Sequence, residues 1–393
     1  MGFSSWLRKR LSNRALRGTA VHRPTVRRFR PRLEALESRD VPTVLTVTNT
    51  SDDGAINGSL RHEIYEAGNG DTIKFAIPTT DPNYNPATRA FTITLSPGEE
   101  IQIGKNVTIQ GPGAGQLTIS GGAIPGQFGT GLRVFEIDGA ATTVNLSGLT
   151  ISGGNGKFAS NVSANNDEHG GAIWNGGVLN ISDCAFSNNF VDYEFGFDPT
   201  LSDWEGGAIY NAGTLAITDS VFSNNKAAIT GGGGGGAIAN VGNLTVSNSM
   251  LMNNATRGAG GAIFTEGSLS VSGGTISDNS AGDGGGIFTS AFNSFSKNAT
   301  AALTGVTLMG NTASDGGAIW NNFATLTLSG TTASTNAATV AGGGIYNGSK
   351  GHLTILSGSM LTGNSAPVGF GADLYTLGAK RISSDSTVGV IGP

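Results

Sequence analysis

Two stretches of this chain hold the side chains best suited to chemistry. Residues 155–169 end on Asp167, Glu168 and His169, and residues 190–205 carry Asp192, Tyr193, Glu194, Phe195, Phe197, Asp198, Asp203, Trp204 and Glu205. Carboxylates beside Trp, Tyr and Phe are the ingredients of a sugar site, with apolar rings for a pyranose and acceptors for its hydroxyls. The same oxygens can ligate Ca2+, and paired carboxylates can act as general acid and base. A long loop folded on its own aromatics, its acids merely solvating it, accounts for the same composition. The binding candidates, for a glycan or calcium, are therefore Asp167, Glu168, Asp192, Tyr193, Glu194, Asp198, Asp203, Trp204 and Glu205. No residue is assigned a catalytic role: Lys157 and His169 are the only basic residues of the two stretches, and neither has an arginine.

What must position these stretches is a repeat, written seven times between Gly170 and Asn364. Each copy opens on glycines, a small residue and an isoleucine: Ile173, Ile209, Ile238, Ile263, Ile287, Ile319 and Ile345. Each closes on an asparagine: Asn189, Asn225, Asn254, Asn279, Asn311, Asn336 and Asn364. An apolar or small residue stands three positions before each asparagine, from Phe186 and Phe222 to Leu361. Successive isoleucines are 24 to 36 residues apart, but Ile209 to Asn225, Ile238 to Asn254 and Ile263 to Asn279 all span sixteen. A fixed interval with variable connectors is the signature of stacked coils with loops at one corner.

Within a copy the period is two. Leu215 and Ile217 alternate with Ala216 and Thr218, as Leu326 and Leu328 do with Thr327 and Ser329. Three such runs separated by Gly, Asn and Ser predict three short strands per coil. One coil cannot hide its apolar side chains alone, but coils stacked ~4.8 Å apart line a continuous core. In that register, turn asparagines tolerate the left-handed conformation, and their amides can bond along the stack.

The alternation of Gly-Gly-Ala-Ile with Phe-x-x-Asn resembles the polymorphic outer membrane protein repeat and, more broadly, bacterial right-handed parallel β-helix surface proteins. The resemblance covers about half of the chain and implies an all-β, right-handed parallel β-helix at the cell surface. It departs from the family at the C-terminal end, Val388 to Pro393, which lacks the amphipathic strands of a membrane barrel. Calcium-binding nonapeptides are also missing, because Asp283-Gly284-Gly285-Gly286 and Asp315-Gly316-Gly317 lack their spacing.

Composition bounds the rest. Of 393 residues 63 are glycine and only 13% are charged, which suits an extracellular solenoid. Residues 1–32 hold ten Lys or Arg and no acid, so the remainder has 13 bases against 28 acids, a net of about −15. An acidic body disfavours nucleic acid as a partner. The single Cys184 rules out an intramolecular disulfide and reads as a small buried residue in the slot of Ser220. No apolar run reaches the length of a membrane-spanning helix.

Residues 1–42 form a basic leader expected to be disordered. Leu33-Glu34-Ala35-Leu36-Glu37-Ser38-Arg39-Asp40-Val41-Pro42 resembles the short leader motif of planctomycete-type surface proteins. Residues 43–78 are expected to cap the solenoid, with a helix over 59–67 capped by Ser59 and stopped by Gly68. Its Ser-Leu-Arg-x-x-Ile pattern resembles the N-terminal cap of bacterial β-helix proteins. Residues 79–393 are the β-helix, with strands expected at 91–95, 107–110, 117–120, 134–137 and 144–151 and a degenerate last coil from Ala372. The whole reads as a secreted or cell-surface structural, adhesive or glycan-binding protein presenting a long acidic, Asn/Thr/Ser-rich face. Its partners are extracellular glycans or surface proteins, and no catalysis is expected. The alternative is a polysaccharide lyase or hydrolase with its site in the 155–205 loops.

Overall fold

In the copy that opens at Ile209, the period of two becomes the strands Ile209–Asn211, Thr214–Thr218 and Val221–Ser223. Every other side chain points inward, and the same three strands recur in each following coil. The computed structural model describes residues 41–96, 98, 100–124, 130–156, 169–191, 205–227, 234–291 and 299–393. Among these, the strands stack into three long sheets. Sheet A has twelve strands, from Val44–Val47 to Ala379–Ile382. Sheet B has twelve, from Tyr84–Asn85 to Thr387–Val388, and sheet C eleven, from Ile101–Ile103 to Ile391–Gly392. Their pairings are parallel except for the first pair of sheet B, Tyr84–Asn85 on Ala90–Thr94. The chain is a right-handed parallel β-helix.

The register is the one the repeat implies. Ile209 pairs with Ile238 and Ile238 with Ile263 on sheet C, and Phe222 with Leu251 and Leu251 with Ile276 on sheet B. The seven opening isoleucines are fully buried in one column of a single core. Phe186 and Phe222 lie face to face at 4.6 Å within it. Each such side chain contributes roughly 1.5–3 kcal/mol of burial, realised only when a neighbouring coil is present.

The closing asparagines form an interior ladder with a direction. Asn225 donates from Nδ2 to Oδ1 of Asn254 at 2.9 Å, Asn254 to Asn279 at 3.0 Å and Asn279 to Asn311 at 2.9 Å. The same Oδ1 atoms accept the backbone N–H of the preceding ladder residue, and each Nδ2 also reaches a carbonyl one coil back, as Asn254 reaches Phe222. A directional ladder needs an acceptor at its last rung. Asp373 supplies it, taking both the N–H and the Nδ2 of Asn364 on one oxygen. The left-handed conformation belongs not to these asparagines but to the residue before each: Asn188, Asn224, Asn253, Asp278 and Thr335 all have φ between 53° and 57°. A second ladder, unforeseen from the repeat, joins Asn175, Asn211 and Asn240 at 2.7 Å per rung and passes to Thr265. The glycines before each isoleucine answer to close approach, since a Cβ on Gly207 would lie 2.0 Å from the Gly236 carbonyl oxygen.

The first coil is continuous with the stack, because Val44–Val47 pairs with Asp71–Phe75 at the edge of sheet A. The helix runs Leu60–Glu66, capped by Ser59, whose Oγ accepts the N–H of His62. It ends at Ala67 in an extended conformation (φ −57°, ψ 136°), not at a left-handed Gly68. Leu60, Ile64 and Ala67 are buried against the core. Arg61 and His62 serve structure there, through an ion pair with Asp52 at 2.9 Å and a contact with the Gly54 carbonyl. The strand expected over 144–151 is two, Thr143–Ser147 and Thr150–Ser152, because Gly148 turns the corner at φ +63°. Cys184 is buried, and that burial pushes its thiol up to about 11, so it packs and does not react.

Candidate functional site

Sheet C turns one side chain per coil away from the core, the middle residue of each short strand, and of these Ala239 and Phe264 are buried in a small apolar cluster with Ala259. From Trp174 the register runs through Tyr210, Ala239, Phe264, Phe288, Trp320 and Tyr346 to Tyr375. Seven of these eight strands carry Tyr, Phe or Trp, the exception being Ala239. Coil spacing puts their rings in contact: Phe288 stacks on Trp320 at 4.2 Å, Trp320 on Tyr346 at 5.9 Å and Tyr346 on Tyr375 at 5.3 Å. Because these faces are turned on one another, the column offers ring edges outward, a C–H rim with partial positive charge.

Both sides of this column carry acids. The residue before each glycine pair lies on one flank, where Ala259, Asp283 and Asp315 bridge from coil to coil. At the two ends of that flank His169 stacks on Tyr210 at 4.5 Å and Phe370 on Tyr375 at 6.3 Å. Asp315 is pushed above the usual carboxylate range by burial and then by the charge of Asp283, and its Oδ1 has no partner. Burial also raises Asp283. On the opposite flank Glu266, which follows the strand Ile263–Thr265, is only 2% exposed and its Oε2 is unpartnered. Burial alone pushes this carboxyl up to about 7. Tyr210 is raised too, by burial and then by the charge of Glu266, which places the two groups within electrostatic reach.

The N-terminal end of the same face is closed by ions. Arg133 is 4% exposed and binds Glu100 through both Nε and Nη2, lies 3.7 Å from Glu136 and donates to the His169 carbonyl at 2.8 Å. Burial lifts Glu100 to about 7 even against the pull of Arg133. Among the described residues no group of three or more His, Cys, Asp or Glu is arranged to hold a metal ion.

Of the sequence candidates, Asp167, Glu168, Asp192, Tyr193, Glu194, Asp198, Asp203 and Trp204 lie outside the described residues. Glu205 is described, 2% exposed in the strand Glu205–Gly206, which pairs with Gly234–Gly235. The flanks of the two connectors are adjacent. Asn155 bridges to Phe190 where they leave, and the N–H of Gly171 donates to the Gly206 carbonyl where they return. Sequence reasoning missed Tyr210, Glu266, Asp283, Asp315 and the ring column. The signal was available: aligning the copies on the opening isoleucine puts the aromatics in the next position and the acids just before the glycines.

The acidic, hydroxyl-rich face expected from composition is in fact two faces. From Thr143–Ser147 to Thr325–Ser329 the outward side chains of sheet A are Thr, Ser and Asn with Val178, Ala216 and Ala302, and none is charged. The acids border sheet C.

Residues 219–241 match the Chlamydia polymorphic membrane protein repeat, a segment holding Phe222, Asn225 and the glycines before Ile238. Among solved structures, the chain is similar to the A-module of the mannuronan C-5 epimerase AlgE6 from Azotobacter vinelandii, at 15% identity and a TM-score of 0.44, covering 89% of this chain and 99% of that one. It is also similar to Jun a 1, the major allergen of cedar pollen, at 13% identity and a TM-score of 0.32, covering 89% and 80%. No curated protein sequence matches the chain. No helix among the described residues is long and apolar enough to cross a membrane.

Proposed function

We propose that this is a secreted or cell-surface β-helix that binds a glycan along the outer face of sheet C. One observation carries the reading: a column of rings from Phe264 to Tyr375, bordered by half-buried or buried carboxyls, beside a sheet A face that from Thr143–Ser147 to Thr325–Ser329 has neither rings nor charge. Ring edges, positive at their rim, lie against the oxygens of a sugar, and carboxyls accept from its hydroxyls. The acids and aromatics of the sequence stretches 157–168 and 192–204 are proposed as further binding residues for the same ligand. Calcium held by those acids would stiffen the connectors. A surface location is supported by the low charge of the chain and by the repeat match to a membrane protein family.

A glycan array probed with the full chain, followed by Trp fluorescence titration of each hit, tests the reading. Binding to at least one polysaccharide class with a change in indole emission is expected; a blank array with correctly folded protein would refute it. The catalytic alternative is a polysaccharide lyase or hydrolase at 155–205, where paired carboxylates could serve as general acid and base. Screening pectin, alginate and sulfated glycans for cleavage decides it. Turnover lost in an Asp192/Glu194/Asp203→Ala variant would establish catalysis over simple binding.

A further inference from the structure

The chain has five methionines, and the four after Met1 all stand on one surface, the outer face of sheet B. Met250 and Met252 flank the inward Leu251, Met309 follows the inward Leu308, and Met360 precedes the inward Leu361. The core cluster contains no methionine, although this flexible side chain is well suited to filling gaps inside a protein. Met250, Met309 and Met360 are exposed and Met252 is half-buried.

Three of the four are neighbours. Met252 pairs with Ser277 and Ser277 with Met309, so the two methionines stand on either side of one serine. At ~4.8 Å per coil their backbones are roughly 9.6 Å apart, and Met250 is about 6.6 Å from Met252 along the strand. The burial of Ser277 shows where the side chains go. It points outward like Ser187, Ser223 and Ser334 of the same column, which are half-buried, yet it is only 7% exposed. Methionine side chains leaning over it from both sides account for that burial. Each reaches about 4 Å from Cα to sulfur, which lets Met252 and Met309 converge on one ion above Ser277 with Met250 beside them. Asp278, the next residue, is exposed with its carboxylate beside Gly310, and puts one negative charge at the edge of the group.

We propose that Met250, Met252 and Met309 form a thioether site for a soft monovalent cation, Cu(I) or Ag(I). Thioether sulfur is a soft, neutral donor that selects such ions over hard divalent ones. The other outward residues around it, Val221, Thr275, Ser277 and Thr307, offer no thiol, imidazole or carboxylate. A merely apolar patch would be served as well by leucine, which matches methionine in volume; ligation alone requires the sulfur. The site lies on a different sheet from the ring column and stands apart from the glycan reading.

The test titrates silver nitrate into the full chain carrying Cys184→Ser, in chloride-free buffer, by isothermal calorimetry. That substitution removes the one thiol of the chain. One equivalent of Ag(I) should bind, with the same affinity at pH 5 and pH 8, because a thioether has no proton to lose whereas an imidazole titrates across that range. Adding Met252→Leu and Met309→Leu should weaken binding at least about tenfold, with thermal melting unchanged. Met360→Leu, two coils further along the same face, should leave it as it was. Cu(I) supplied under nitrogen as its acetonitrile complex should compete with Ag(I), while zinc and calcium nitrate should not. No uptake of Ag(I), equal uptake after the two leucine substitutions, or an affinity that climbs from pH 5 to pH 8 would overturn the assignment. Displacement of Ag(I) by zinc or calcium would overturn it too, by marking nitrogen or oxygen ligands.

Discussion

The outer faces of sheets A and C hang on the same backbone and enclose the same core, yet their surfaces differ in kind. Sheet A shows hydroxyls and amides that bond to one another along the stack, as Asn180 does to Asn145 at 2.9 Å and Ser247 to Ser272 at 3.0 Å. Such a face satisfies itself. Sheet C shows rings and carboxyls, and two of those carboxyls enclose oxygens with no partner. On the proposed reading, sheet A is the face that supports and sheet C the face that binds.

The comparison breaks most severely from inside, where both faces share a ladder. Asn254→Ala would strand the N–H and Nδ2 of Asn225, which both donate to its Oδ1. A loss of about 3–5 kcal/mol is expected, seen as a large fall in denaturation midpoint with both faces affected alike. A fall below about 1 kcal/mol would mean that the ladder does not hold the coils together.

Glu266 gives the next effect, and its sign depends on pH. Its carboxyl titrates at about 7 in the fold against 4.5 as a free side chain, so the folded chain holds this proton more tightly. Stability should therefore fall as pH rises from about 4.5 to about 7 and level off above that. Glu266→Gln should leave stability unchanged at pH 4 and raise it at pH 8, by at most about 3 kcal/mol. Melting curves at the two pH values check this, and a variant destabilised at pH 8 would mean that the carboxylate has a cationic partner in the free protein.

Smaller effects sharpen the contrast between the faces. Trp320→Ala removes a ring stacked on both Phe288 and Tyr346 and should cost about 2 kcal/mol by chemical denaturation. Thr245→Ala, at the matching outward position of sheet A, should stay within about 0.5 kcal/mol. Similar costs at the two sites would remove the energetic distinction drawn here.

The interior was legible because it is monotonous. Ile173 to Ile345 and Asn189 to Asn364 occupy positions where a coil either fits its neighbour or opens the core, and such positions permit few residue types. The face of sheet C was hidden by its variety. Tyr, Ala, Phe and Trp succeed one another in one column, so the position carries the meaning and the residue type does not. Glu266 was harder still, because a single acid at one corner of one coil has no echo in the other copies. Gly148 and Ala67 show the limit at turns: an unbroken run of apolar alternation does not reveal where the chain bends, and a glycine after a helix need not be its cap.

The most direct measurement compares two triple variants of the full chain against a glycan bound by the wild type. One replaces Phe288, Trp320 and Tyr346 by alanine; the other replaces Thr245, Ser270 and Thr327. If the face of sheet C is the binding surface, the first loses at least about tenfold in affinity while the second matches the wild type. Affinity kept by the first and lost by the second would put the ligand on the hydroxyl face and contradict the account.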